Sequence, residues 1–212
     1  MHHRKVTFVI SGPSGVGKGT ICSRLIEEME GIALSVSCAT RAPRRLQDGS
    51  MEQDGVQYYF ITPSQFEAMI DEGDFYEYAC VHSGYYGTSR SFVERQKEAG
   101  NDVILEIDMQ GALQVKATDP EAVTIFILPP SFEELRRRLV GRNSETPEQV
   151  EKRLSDALGQ LAFAYAYDYI VVNDDLDDAV AAVAEIIRAS RRRTIDNKKM
   201  LDDIKRSFQE VK

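Results

Sequence analysis

Apolar residues along this chain follow two rhythms. Val6-Thr7-Phe8-Val9-Ile10, Val103-Ile104-Leu105, Val123 to Leu128 and Tyr169 to Val172 are short, nearly continuous apolar runs bounded by turn residues. Runs of that kind predict strands covered on both faces. Ala33 to Cys38 predicts another, and Asp102 to Asp108 carries its strand to an acid at the tip. Between these runs the spacing turns helical. Helices are predicted over 18–30, from Pro63 to Gly73 with Phe66, Met69 and Ile70 on one face, over 89–99, and onward from Asp108 to about Lys116. Further helices are predicted after Ser131, from Pro147 to about Ala166, and along the C-terminal stretch. Strands alternating with helices predict an α/β fold of three layers around a parallel core sheet. Residues 37–90 interrupt that rhythm. Tyr58 to Ile61 and Phe75 to Val81 predict strands there, and Gly84-Tyr85-Tyr86-Gly87 predicts a turn. The expected organisation is a core of residues 1–36 and 91–212, with a small mixed β insertion at 37–90.

Composition changes this picture little. A 42% hydrophobic chain of 212 residues is ordinary for one globular domain with insertions. No apolar run approaches the ~20 residues of a membrane span. Met1-His2-His3-Arg4-Lys5 leads straight into the first strand and leaves no room for a targeting segment, so a cytoplasmic location is expected. Cys22, Cys38 and Cys80 are too few and too scattered for a disulfide framework or a zinc site, and are expected to be small core residues. The net charge of −8 argues against a general nucleic-acid binder. The charge is uneven: residues 188–212 hold nine Lys/Arg against four Asp/Glu, leaving the remainder near −13. Ile195, Leu201, Ile204 and Phe208 in that basic tail suggest that it docks on something. Oligomeric state is left undecided.

Chemistry enters at Gly12-Pro13-Ser14-Gly15-Val16-Gly17-Lys18-Gly19-Thr20. A glycine-rich loop between a buried strand and a helix is the setting that a phosphate-cradling loop requires. Glycines let consecutive N–H groups point at one centre, the helix start adds positive potential, and Lys18 supplies a full charge that reaches the outer phosphates. The pattern predicts a nucleoside triphosphate, with Mg²⁺ beside it. Gly19 stands where a Ser or Thr usually offers its hydroxyl to the metal, so the ion must rely on nucleotide oxygens, water and another side chain. Thr20 is expected to face the α-phosphate from the first helical turn.

Two arginine groups stand outside this loop: Arg41 with Arg44, and Arg138 with Arg142 and Arg153. A planar guanidinium grips phosphate oxygens in bidentate fashion. The first group follows a strand. The second flanks a polar break between helices, as a mobile lid over about 138–153 would. Asp108 closes an apolar strand. There it can hold the metal directly or through water, or cap the next helix.

Other motifs accompany these. Val36-Ser37 precedes Thr40-Arg41-Ala-Pro-Arg44; then come Tyr58-Tyr-Phe60, Phe75-Tyr-Glu77, Tyr85-Tyr86-Gly87-Thr88, Ile107-Asp108-Met-Gln-Gly111, Phe126-Ile-Leu-Pro-Pro130 and Ile170-Val-Val-Asn173. With the phosphate loop they make a chain that resembles the guanylate kinases over nearly its whole length. That resemblance implies a nucleoside-monophosphate-kinase fold that moves the γ-phosphoryl of ATP to GMP, with dGMP as a further substrate. It implies that Arg41, Arg44, Tyr58 and Tyr86 hold the GMP phosphate. Ser37, Glu77 and Thr88 would read guanine, with Asp108 beside the same nucleotide. Arg138, Arg142 and Arg153 would serve the lid and the transferring group, together with Lys18 and Arg44 as the catalytic set. Asn173, like Arg142, would lie near ATP. The chemistry agrees with that assignment: a Glu77 carboxylate accepts from the guanine N1–H and N2 amine, and AMP offers neither pattern. Two departures stand out: the Arg44-to-Tyr58 loop is longer than is common in the family, and Glu106 stands where Asp is general. Two other readings compete. One is a catalytically silent module of the same fold that binds phosphopeptides, against which Lys18 and the lid arginines weigh. The other is a related kinase for a sugar phosphate, against which Ser37 and Glu77 weigh.

Overall fold

The computed structural model describes residues 4–46, 49–81, 84–141 and 146–209. Its centre is a five-stranded sheet in the order β2 (Ile32–Leu34), β7 (Asp102–Glu106), β1 (Thr7–Ser11), β8 (Val123–Leu128), β9 (Tyr169–Val172). Every pairing in it is parallel. The first strand of the chain therefore lies in the middle, and the loop that leaves it opens where neighbouring connections diverge. That is where ligands bind in such sheets.

Alternation along β1 decides the layers. Phe8 and Ile10 point to one face and join Ile21 and Leu25 of α1 (Lys18–Glu28) and Val183 and Ile187 of α7 (Leu176–Ser190). Val9 points to the other and joins Val103 and Leu105 of β7, Val93 of α3 (Arg90–Glu98) and Val115 of α4 (Met109–Thr118). Burying each such side chain contributes about 1.5–3 kcal/mol, so both helix layers are fixed by one strand's pleat.

The second sheet lies within the 37–90 stretch: β4 (Tyr59–Phe60), β3 (Cys38–Ala39), β6 (Gly84–Ser89), β5 (Phe75–Val81). Its core is Phe66 of α2 (Pro63–Asp71), stacked between Phe75 and Tyr85 at 4.3 and 5.2 Å. A third, separate apolar cluster joins α5 (Phe132–Val140) to α6 (Pro147–Leu161) through Leu135, Leu139, Val150 and Leu154.

Several expectations need correcting. Ala33 to Cys38 is not one strand, because Ile32–Leu34 pairs with β7 while Cys38–Ala39 pairs with β6 in the other sheet. Gly84 to Gly87 is not a turn but the start of β6, held between β3 and β5 by antiparallel pairing. The helix from Pro147 ends at Leu161 rather than Ala166. The C-terminal stretch is two helices: the chain leaves α7 at Arg191 and passes through a 3₁₀ turn at Thr194–Asn197 into α8 (Lys198–Gln209). Asn197 fixes that break by donating to the carbonyls of Arg191 and Arg193. Cys80 is exposed rather than a core residue, unlike Cys22 and Cys38. Leu201, Ile204 and Phe208 of α8 are exposed, so the tail's apolar stripe is not docked on its own domain.

Candidate active site

The loop between β1 and α1 is shaped by its glycines. Gly15 and Gly17 hold φ of +86° and +97°, a region that costs other residues about 1–2 kcal/mol. Gly17 is the N-cap of α1 and offers no side chain to it, so the first N–H groups of the helix are left for an anion. Lys18 folds back over the loop, its Nζ donating to the carbonyls of Gly12 at 2.7 Å and Pro13 at 3.1 Å. Gly19 and Thr20 are exposed at the start of the helix, and Val16 is buried beneath the loop. Two side chains from elsewhere grip this loop: Arg153 of α6 donates to Ser14 Oγ, and Asn173 Nδ2, just after β9, donates to Val16 O at 2.7 Å.

Across the open end of the sheet lies a cleft of about 360 Å³. Ser37, Arg41, Arg44, Tyr58, Glu77, Tyr86 and Asp108 all line it, joined by Glu106. Arg41 sits at 4.9, 5.6 and 6.0 Å from the ring centres of Tyr58, Phe60 and Tyr86. Its Nε donates to Tyr86 Oη at 3.0 Å, and its two terminal nitrogens donate to the two oxygens of Glu52 at 2.5 and 2.9 Å. The two side chains are only 8% and 9% exposed. That fork holds the Glu52 carboxyl down to about 2. Glu52 also accepts from the Arg44 backbone N–H at 2.8 Å, while the Arg44 guanidinium itself stays exposed in the cleft.

Ser37, Thr88 and Glu77 lie in a row. Thr88 Oγ1 donates to Glu77 Oε1 at 2.7 Å, and Ser37 Oγ lies 3.4 Å from the same hydroxyl. Thr88 is wholly buried, behind Glu77 rather than on the cleft surface. Burial pushes the Glu77 pKa up, the Thr88 hydrogen bond opposes that, and Asp108 adds to the rise. Gly111 makes the room: a Cβ there would stand 2.9 Å from Glu77 Oε2.

Asp108 caps α4, its Oδ1 accepting from Gly111 N at 2.9 Å. Glu106 is the acid that faces the phosphate loop. A Cβ at Gly19 would be 3.6 Å from its carboxylate, and Lys18 is near enough to lower its pKa against the larger rise caused by the surrounding walls. Among the described residues no cluster of three His, Cys, Asp or Glu side chains could hold a metal unaided. Glu106 and Asp108, both lining the cleft, are the carboxylates that could share a metal with a nucleotide's own oxygens and water.

Of the three arginines expected to serve a lid, Arg153 reaches the loop, and Arg138 is shared between Glu134 at 2.7 Å and the Asp174 carbonyl at 3.4 Å. Arg142 lies outside the described residues. Glu52 and Glu106 are the site residues that the sequence reading did not assign. Glu106 carried a signal, since an acid alternating with an apolar strand must point at something. Glu52 carried none, as it sits in an irregular loop with no periodicity.

A family model described as guanylate kinase matches residues 4–190. The chain is 49% identical over 191 residues to a guanylate kinase of Caldanaerobacter subterraneus, covering 90% of each chain. It is also 49% identical to a guanylate kinase of Thermus thermophilus, over 88% of this chain and 82% of that one. Among solved structures, guanylate kinase from Anaplasma phagocytophilum superposes with a TM-score of 0.72 at 33% identity, over 92% of this chain and 91% of the other.

Proposed function

This chain belongs to the guanylate kinase family and is an ATP:GMP phosphotransferase; within that activity we propose that GMP occupies the cleft between Arg44 and Glu77 while ATP lies on residues 12–20. The observation that carries the placement is the cleft lining itself. A basic end, with Arg44 exposed beside Arg41, Tyr58 and Tyr86, stands opposite a buried carboxylate at Glu77. A nucleoside monophosphate has the matching polarity: an anion at one end and, in guanine, two adjacent donors at the other. The 37–90 stretch acts as the GMP-binding unit, and the segment around 138–153 acts as the lid.

Transfer then needs little covalent help. A GMP phosphate oxygen is already an anion, so the protein's work is to hold two mutually repelling groups in line. Arg44 and the remaining Arg41 N–H hold the acceptor phosphate. Lys18 exchanges its carbonyl partners for the outer phosphates of ATP, and the N–H groups at the start of α1 hold the rest. Arg153, with Arg138 and Arg142, meets the charge that spreads over the moving phosphoryl group, and closure of the lid excludes water. Glu106 and Asp108, which line the cleft, would help to hold a Mg²⁺ ion brought by ATP, directly or through water, and such an ion would supply charge neutralisation to the phosphates. Glu77 fixes the base, positioned by Thr88 from behind, and dGMP shares every feature that it reads.

A coupled assay of wild type and Glu77→Gln with ATP and, in turn, GMP, dGMP, AMP and UMP tests this placement. The expected result is a loss of GMP preference in the variant with the ATP KM unchanged. Unaltered base preference would overturn it. No helix among the described residues is long and apolar enough to cross a membrane.

A further inference from the structure

We propose that Asn173 is a positioning residue of the phosphate loop, acting through its amide nitrogen on the loop's backbone. This rests on the reading that residues 12–20 hold that triphosphate. Asn173 is 5% exposed and anchored at both ends. Its backbone N–H donates to Leu128 O at 2.8 Å, which continues the β8–β9 pairing, so its position is set by the sheet. Its side chain spans from there to the loop, and Nδ2 donates to Val16 O at 2.7 Å. A carbonyl partner requires the amide nitrogen on that side, so the donor is committed to the loop.

Val16 O belongs to the peptide just before Gly17, the residue whose left-handed backbone turns the chain into α1. The contact also explains why nothing larger fits at that turn, since a Cβ on residue 17 would overlap Asn173 Nδ2. Asn173 therefore fixes the peptide plane that aims the next N–H groups and Lys18 at the phosphates. The adjacent Asp174 carbonyl accepts from Arg138 at 3.4 Å, so one short turn after β9 touches both the loop and an arginine of α5. A buried hydrogen bond to backbone at a turn of this kind is worth roughly 10–100-fold in the rate it positions.

The experiment compares ATP with ITP, which lacks the adenine amine, and adds inorganic tripolyphosphate, which lacks a base altogether. Asn173→Ala and Asn173→Asp are measured beside wild type, with melting curves to establish that each is folded. The expected result is a fall in kcat/KM of about 10–100-fold that is equal for ATP and ITP. Inhibition by tripolyphosphate weakens in the same variants, and the GMP KM stays within about twofold. A loss seen with ATP but not ITP would assign the side chain to the base and overturn the proposal. So would wild-type kinetics in a variant whose only change is a lower melting temperature. Lys18→Ala serves as the separate control: if it remains active, the loop reading itself fails, whatever Asn173 does.

Discussion

Residues 12–20 offer main-chain N–H groups at the start of a helix, whereas the 37–90 cleft offers side chains that are already paired to each other. In the loop, the charged and amide groups rest on carbonyls: Lys18 on Gly12 and Pro13, Asn173 on Val16. In the cleft, Arg41 rests on Glu52 and Tyr86, and Glu77 on Thr88. The difference follows from what each must recognise. Every triphosphate presents the same oxygens, and backbone serves them all. A single base must be told from its rivals, and only side chains carry that information. A backbone cradle should fail abruptly when its one full charge is removed, and a side-chain cleft should fail by degrees.

The largest expected effect sharpens that contrast. Lys18→Ala should lower kcat/KM by about 10³-fold or more while the melting temperature barely moves, because the ammonium is bonded to loop carbonyls and is no part of the apolar core. Steady-state kinetics beside a thermal melt checks both halves, and retained turnover would mean that the backbone suffices alone. Next comes Glu77→Gln, with an expected loss of about 10²-fold in kcat/KM for GMP and none in the ATP KM. Equal losses for both substrates would erase the division between the two regions. Glu52→Gln is expected to cost less, about tenfold in the GMP KM with kcat nearly kept, since it frees Arg41 to swing without removing it. A fall in the GMP KM instead would make Glu52 a competitor of the phosphate.

The smallest effect is in pH. Glu77 must be ionised to accept from guanine, and its pKa is raised, so kcat/KM for GMP should fall as pH drops through a value above the ordinary carboxylate range. A pH profile of kcat/KM for GMP should show this acid limb in the wild type, and the limb should vanish in Glu77→Gln. The Arg41–Glu52 pair does not share that limb. Its folded pKa is lowered to about 2, so its stabilising contribution is complete above the unfolded carboxyl value and is lost only as pH falls toward 2.

The same contrast explains what the sequence disclosed. The loop and the parallel sheet were legible because both obey local rules: a glycine spacing, a strand, a helix. The insertion was legible in composition and less so in form. Tyr85 and Tyr86 beside two glycines resemble a turn locally, yet β3 and β5 on either side make them a strand. Residues 33–38 form an apolar run on paper, but the break between two sheets within it depends on partners far along the chain. Asn173 was expected beside ATP from its motif alone, while its bond to Val16 required the fold. Glu52 could not be found at all, because a carboxylate in a loop gains meaning only when Arg41 is placed against it.

At the opposite ends of the strands the molecule is stapled shut. Asp102, wholly buried at the start of β7, accepts from Arg191 at 2.7 Å and from the Val6 backbone at 2.8 Å. Asp196, equally buried, is held by Arg4 and Arg193. The two carboxylates are buried while their arginines stay partly exposed, so removing an arginine leaves a buried charge short of a partner, and this end behaves as a foundation. A lid of the kind proposed needs a floor that does not tilt, and this chain uses its basic tail to bolt that floor down.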